Sequence, residues 1–73
     1  MDSNMKIGEL VQLIRINCGI TQRTLSEWSD IDQGSLSLYE QGKRRAGLAK
    51  RKKLIDIANE KANMNLKYTD VHD

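Results

Sequence analysis

Proline and phenylalanine are absent from this 73-residue chain, and Trp28, Tyr39 and Tyr68 are its only aromatic residues. With so few aromatics, and with plentiful Leu, Ile, Lys, Glu and Gln, helices are favoured over a sheet-based fold, and an all-α domain is expected. Cys18 is the only cysteine. An internal disulfide is therefore excluded, and no Cys/His cluster has zinc-ligand spacing, so stability must come from packing. No metal, cofactor or small-molecule ligand is expected. No apolar run approaches the ~20 residues of a membrane span, and Asp2, Ser3 and Asn4 open the chain with polar groups unlike a signal peptide. A cytoplasmic protein with no membrane partner is the expectation. The length fits one domain with a modest core, better suited to presenting a surface than to enclosing a deep pocket.

The charge is small in sum, +2, and strongly uneven in place. Residues 1–42 carry three basic and six acidic side chains, and residues 54–73 carry two basic and four acidic. Between them, residues 43–53 (KRRAGLAKRKK) carry seven basic side chains and no acidic one. A charged run of this kind is either a solvated face or the footprint of polyanion binding, and its neighbours decide between the two.

Ile7, Leu10, Val11, Ile14 and Cys18 recur at three- and four-residue steps, which predicts a first helix from about Met5 to Asn17, ended by Gly19. Leu13 and Ile16 widen its apolar face. Thr21 is a suitable N-cap, and Ile20 and Leu25 stand at the positions of a hydrophobic staple, so a second helix runs from Gln22 to about Ser29. Asp30 follows where the chain must turn sharply, and aspartate tolerates the left-handed backbone region. The construction then repeats. Asp32 caps and Ile31 and Leu36 staple a third helix from Gln33 to about Gln41, with Gly42 as its stop. Leu36 and Tyr39 share the face of the staple, and Gln33, Gly34, Ser37 and Leu38 form an uncharged second face. Leu54, Ile55, Ile57, Ala58 and Ala62 fit a fourth helix from about Leu48 to Lys61, basic in its first turns. From Asn63 to Asp73 the alternation of Leu66 and Tyr68 fits a short strand, and an unordered tail fits it equally. The domain is thus expected over 1–62, with 63–73 as a tail.

Two short capped helices joined by a three-residue turn, with one helix before and one after, let the second short helix enter a DNA major groove. The residues carry a family likeness as well. Gly19-Ile20-Thr21-Gln22-x-x-Leu25-Ser26, followed by Ile31-Asp32-Gln33-Gly34-Ser35-Leu36-Ser37-x-Tyr39-Glu40-x-Gly42-Lys43, resembles the Cro and phage-repressor (XRE) family of helix-turn-helix regulators. The likeness runs from about Ile7 to Ala58 and implies a lambda-repressor-like domain of four to five helices.

That resemblance implies roles. Gln33 stands where the family's glutamine pairs with an adenine edge through two hydrogen bonds, a pattern the major groove makes selective. Ser37 is one turn later, able to bond a base or phosphate, and Leu38 can pack on a thymine methyl. Gly34 replaces a side-chain-bearing family residue and either lets the backbone approach DNA closely or touches nothing. Thr21, Gln22 and Arg23 are expected on the DNA backbone at the start of the second helix, where free amides also attract phosphate. Lys43, Arg44 and Arg45 are expected to anchor on phosphates without reading sequence, with Lys50–Lys53 mattering less because the fourth helix turns some of them away. Arg15 and Glu40 match a structural ion pair between the first and third helices, Ser26 a small residue at the crossing of the two motif helices, and Trp28 a packing residue. No catalytic constellation accompanies Cys18 or His72, so an enzyme is not expected.

The function implied is a DNA-binding transcription regulator, most simply a homodimeric repressor of the phage-repressor, Cro-like or restriction–modification controller kind. An antitoxin whose tail wraps a toxin is the alternative. For the dimer contact the apolar candidates are Leu10 and Leu13 on the first helix and Met64, Leu66, Tyr68 and Val71 in the tail, with the tail favoured. Truncation after Lys61 is then expected to leave a folded monomer.

Overall fold

The computed structural model describes residues 4–73. Among them a short strand β1 (Met5–Lys6) leads into α1 (Ile7–Cys18), α2 (Gln22–Ser29), α3 (Gln33–Glu40) and α4 (Gly47–Lys61); a 3-10 turn (Tyr68–Asp70) and a short strand β2 (Val71–His72) follow. The fold is small and mostly helical, as composition requires. No helix of the described residues is long and apolar enough to cross a membrane.

Each helix ends where its local chemistry directs. Gly19 takes the left-handed conformation, φ 65°, and its amide donates back to the carbonyls of Arg15 and Ile16. Thr21 Oγ1 accepts from the Thr24 amide to open α2, and Asp30, φ 58°, closes it with its own amide on the Ser26 carbonyl. The Asp32 carboxylate accepts from the Ser35 amide to open α3. At the far end of α3 the Gly42 amide donates to the Tyr39 carbonyl and the Lys43 amide to that of Leu38, with Gly42 at φ 71°. That pair of bonds satisfies carbonyls the helix leaves open and turns the chain into the basic loop.

The core is one cluster. Ile7, Leu10, Val11 and Ile14 of α1 meet Leu25, Ile31, Leu36, Tyr39, Leu54, Ile55, Ala58 and Val71. α1 lies against both α3 and α4, and α2 against α3. The contact between α1 and α3 is so close that a Cβ on Gly8 would fall onto the Tyr39 carbonyl oxygen and come within 3.2 Å of Glu40 Cα. Glycine inside a helix is ordinarily a weakness, and here it is what lets two backbones touch.

Three expectations need correction. The first helix begins at Ile7, because Met5 and Lys6 are extended and pair in parallel with Val71 and His72. Leu10 belongs to no surplus flank: it is fully buried, Leu13 is half-buried, and Ile16 carries the exposure instead, at 74%. The strand in the tail is Val71–His72, and Leu66 and Tyr68 lie outside it.

The tail itself is part of the packed body. Asn63, φ 54°, stops α4 and reverses the chain. The Asn59 side chain then grips Leu66 like a strand partner: its Oδ1 accepts from the Leu66 amide at 2.8 Å and its Nδ2 donates to the Leu66 carbonyl at 3.0 Å. Met64 and Leu66 pack against the core and Val71 is buried in it. Tyr68 stays half outside, its hydroxyl donating to Asp56 at 2.8 Å beneath the Lys52 ammonium. Met64, Leu66 and Val71, expected to meet a second copy, thus cover their own chain.

Candidate nucleic-acid interface

The three-residue turn Asp30-Ile31-Asp32 is built so that its tip is polar and its middle buried. Ile31 is in the core, and its carbonyl accepts from Ser26 Oγ and its amide donates to Ser29 Oγ. Ser29, buried, also donates to the Leu25 carbonyl at 2.8 Å. These bonds satisfy backbone groups that the turn would otherwise leave unpaired, and a bulkier side chain at Ser26 would lose one of them. With the turn fixed, α3 leaves α2 at a set angle and presents its start to solvent.

That start carries the predicted reading face. Gln33 and Gly34 are exposed, and Ser37 and Leu38 are half-buried one turn on. Ser37 Oγ accepts from Gln41 Nε2 at 2.9 Å, which leaves its hydroxyl proton available. Gly34 has open space where a side chain would project, except for the Asp32 carboxylate 3.3 Å from an added Cβ.

The cap of α3 is more than a cap. Asp32 Oδ2 accepts from the Ser35 amide at 2.9 Å and Oδ1 from the Ser35 hydroxyl at 2.8 Å, and Ser35 Oγ in turn accepts from Arg44 Nη1 at 2.9 Å. Ser35's hydroxyl first, then its amide, with the charge of Lys50 last, hold the Asp32 carboxyl below the ordinary aspartate range. Arg44 therefore reaches the first turn of α3. Arg44, expected only as a phosphate anchor, also ties the basic loop to the reading helix. Lys50, placed among the lesser basic residues, is the member of that group whose field reaches this site. Lys43 and Arg45 stand exposed on either side of Arg44.

At the start of α2, Thr21 and Arg23 are exposed, and Gln22 is half-buried. Gln22, expected on the DNA backbone, is hydrogen-bonded within the fold. Its Nε2 donates to Glu40 Oε2 at 2.9 Å, because Glu40 has been brought there by Arg15, whose Nη1 lies 2.8 Å from both carboxylate oxygens. The predicted ion pair between the first and third helices is thus present and extends to α2, joining the ends of three helices in one chain of bonds. Trp28, expected as a packing residue, is instead exposed, at 37%, with the Lys61 ammonium over its ring. Among the described residues no group of three His, Cys, Asp or Glu side chains is placed to hold a metal.

Gly8, Asn59 and Asp73 escaped the sequence reading. Each acts through a residue far along the chain, and none belongs to a local pattern. The chain matches no protein-family model, no curated protein and no solved structure.

Proposed function

We propose that this chain is a sequence-specific DNA-binding transcription regulator, a repressor in its simplest form, that lays the start of α3 in the major groove. The observation that carries this reading is the composition of one surface. An uncharged, hydrogen-bonding patch (Gln33, Gly34, Ser37, Leu38) is bordered by the start of α2, where Thr21 and Arg23 are exposed, and by the loop of Lys43, Arg44 and Arg45, which Arg44 joins to α3. Polar groups that read base edges flanked by cations that hold phosphates are what groove recognition demands.

One α3 reads only a few base pairs. A two-fold dimer doubles that information and places its two reading helices about 34 Å apart, so the target is an inverted repeat with half-site centres roughly 10 base pairs apart. The antitoxin alternative relied on a free tail, and Val71, Met64 and Leu66 are engaged with the chain's own core.

Selection of bound duplexes from a random pool tests the reading directly, with an inverted repeat as the expected product. On the selected site, Gln33→Ala is expected to lose about 1 to 3 kcal/mol while binding to random duplex stays unchanged. Equal loss on both would show that Gln33 reads no base, and absence of any enrichment would refute sequence-specific binding.

A further inference from the structure

The start of α4 has no cap of its own. Ala46 supplies no side-chain acceptor, and the first amides of a helix are open donors at the positive end of its dipole. The acceptor comes instead from the other end of the fold: Asp73 Oδ1 accepts from the Ala46 amide at 2.9 Å, and Asp73 Oδ2 lies 3.2 Å from Arg51 Nη1. The carboxylate also borders a groove of about 560 Å³ whose charged lining is Lys6, Lys43, Arg44 and Arg45 together with Glu9 and Glu40. A carboxylate is therefore seated beside the basic run, on donors of the kind that a phosphate would take.

Its hold is loose. Arg15 meets both oxygens of Glu40 at 2.8 Å, within the usual span of charge-assisted bonds, whereas Arg51 makes one longer contact with Asp73, at 3.2 Å. The segment that brings Asp73 into place is secured by the two-residue pairing of Val71–His72 with Met5–Lys6 and by the burial of Val71. The carboxylate can thus leave Arg51 while Val71 stays in the core.

We propose that Asp73 is an internal stand-in for a DNA-backbone phosphate: it masks Arg51 and the Ala46 amide, and a phosphate must displace it to use them. This rests on the reading of the basic loop as a backbone contact. Its effect is to hold down sequence-independent affinity, so that an encounter with random DNA competes against the chain's own carboxylate and only a well-docked duplex displaces it.

The test is a titration of random and selected duplex over a range of salt, with the full chain and three variants. Asp73→Asn keeps an acceptor for the Ala46 amide and removes the charge. Its binding to random duplex is expected to tighten by about threefold or more at low salt, with a salt slope steeper by about 0.9, the signature of one more phosphate neutralised. Asp70→Asn removes an equal charge from the residue that caps the 3-10 turn through the Lys67 amide, and is expected to change the slope little. Arg51→Gln is expected to lose more affinity in the Asp73→Asn background than in the parent chain. The proposal is overturned if Asp73→Asn and Asp70→Asn behave alike, if the gain from Asp73→Asn survives in Arg51→Gln, or if Arg51→Gln costs the parent chain as much as the double variant. A folded parent chain that binds no duplex, with Asp73→Asn equally inert, refutes the DNA reading and the mask together. A parent that is inert while Asp73→Asn binds supports both.

Discussion

Two single residues carry consequences that a sequence of this composition conceals. At Gly8, alanine is the better helix former by about 1 kcal/mol, yet its methyl group would meet the Tyr39 carbonyl oxygen, which cannot move without shifting α3. The steric term is of order 1 to 3 kcal/mol and wins. Gly8→Ala should therefore lower the unfolding free energy in urea, where a helix-propensity effect alone would raise it. Asp32 carries a pH dependence. Its carboxyl titrates below the ordinary range when folded, held there chiefly by Ser35, so the folded state binds its proton less readily than the unfolded chain does. The stabilisation is fully present above the unfolded value and is lost as pH falls through the lowered folded one. Asp32→Ser keeps a helix cap without the titrating group. The stability difference between parent and Asp32→Ser is expected to shrink steadily in acid melts below the ordinary aspartate range, and a difference independent of pH would remove Asp32 from the cap.

At the scale of elements, the basic loop is tied to the cap of α3 through Arg44 and Ser35. This separates two kinds of basic residue. Neutralising exposed Lys43 or Arg45 should weaken cognate and random duplex alike and reduce the salt slope by about one for each phosphate no longer neutralised. Arg44→Gln should do this and also lower thermal stability, since Ser35 Oγ loses its donor from the loop. Lys50→Gln should weaken binding more than Lys53→Gln. Equal salt slopes for the parent and a triple neutralisation of Lys43, Arg44 and Arg45 would remove the loop from the interface. The tail is the second element whose role the tertiary structure redefines. With Val71 buried, Asn59 bound to Leu66 and Asp73 on the Ala46 amide, truncation after Lys61 uncovers the core and the start of α4. A largely unfolded product by circular dichroism is now the expected outcome, in place of a folded monomer.

For the whole molecule, the geometry of recognition and the supply of apolar surface must agree. Leu10, Met64, Leu66 and Val71 are spent on the chain's own core, and among the described residues the large apolar side chains left exposed are Ile16, Trp28, Leu48 and Tyr68. A two-fold contact is expected to draw on a face that includes some of these. Full-length protein should accordingly bind an inverted repeat as a dimer and a single half-site much more weakly, read by sedimentation of the complex and by titration. Half-site affinity equal to that of the whole repeat would refute dimeric recognition.

Much of this architecture was legible in the sequence because it is decided within a few residues. Thr21 and Asp32 cap through amides three positions on, Gly19, Asp30 and Gly42 take left-handed conformations their own chemistry permits, and Ile20, Leu25, Ile31 and Leu36 are placed by helical spacing. The ion pair of Arg15 with Glu40 spans 25 residues and was read from the family resemblance, since no local rule specifies it. Gln22 turning to Glu40, Gly8 beneath Tyr39, Asn59 on Leu66 and Asp73 on Ala46 carry no periodic signature. Such contacts exist only once the helices have packed and brought distant parts of the chain within hydrogen-bond reach. The sequence by itself thus determined the helices, the caps of α2 and α3 and the uncharged face of α3. Whether the tail is core or free surface, and which cations are left unpaired for a phosphate, was decided by tertiary packing, because both depend on which distant side chain arrives at each open donor and each apolar gap.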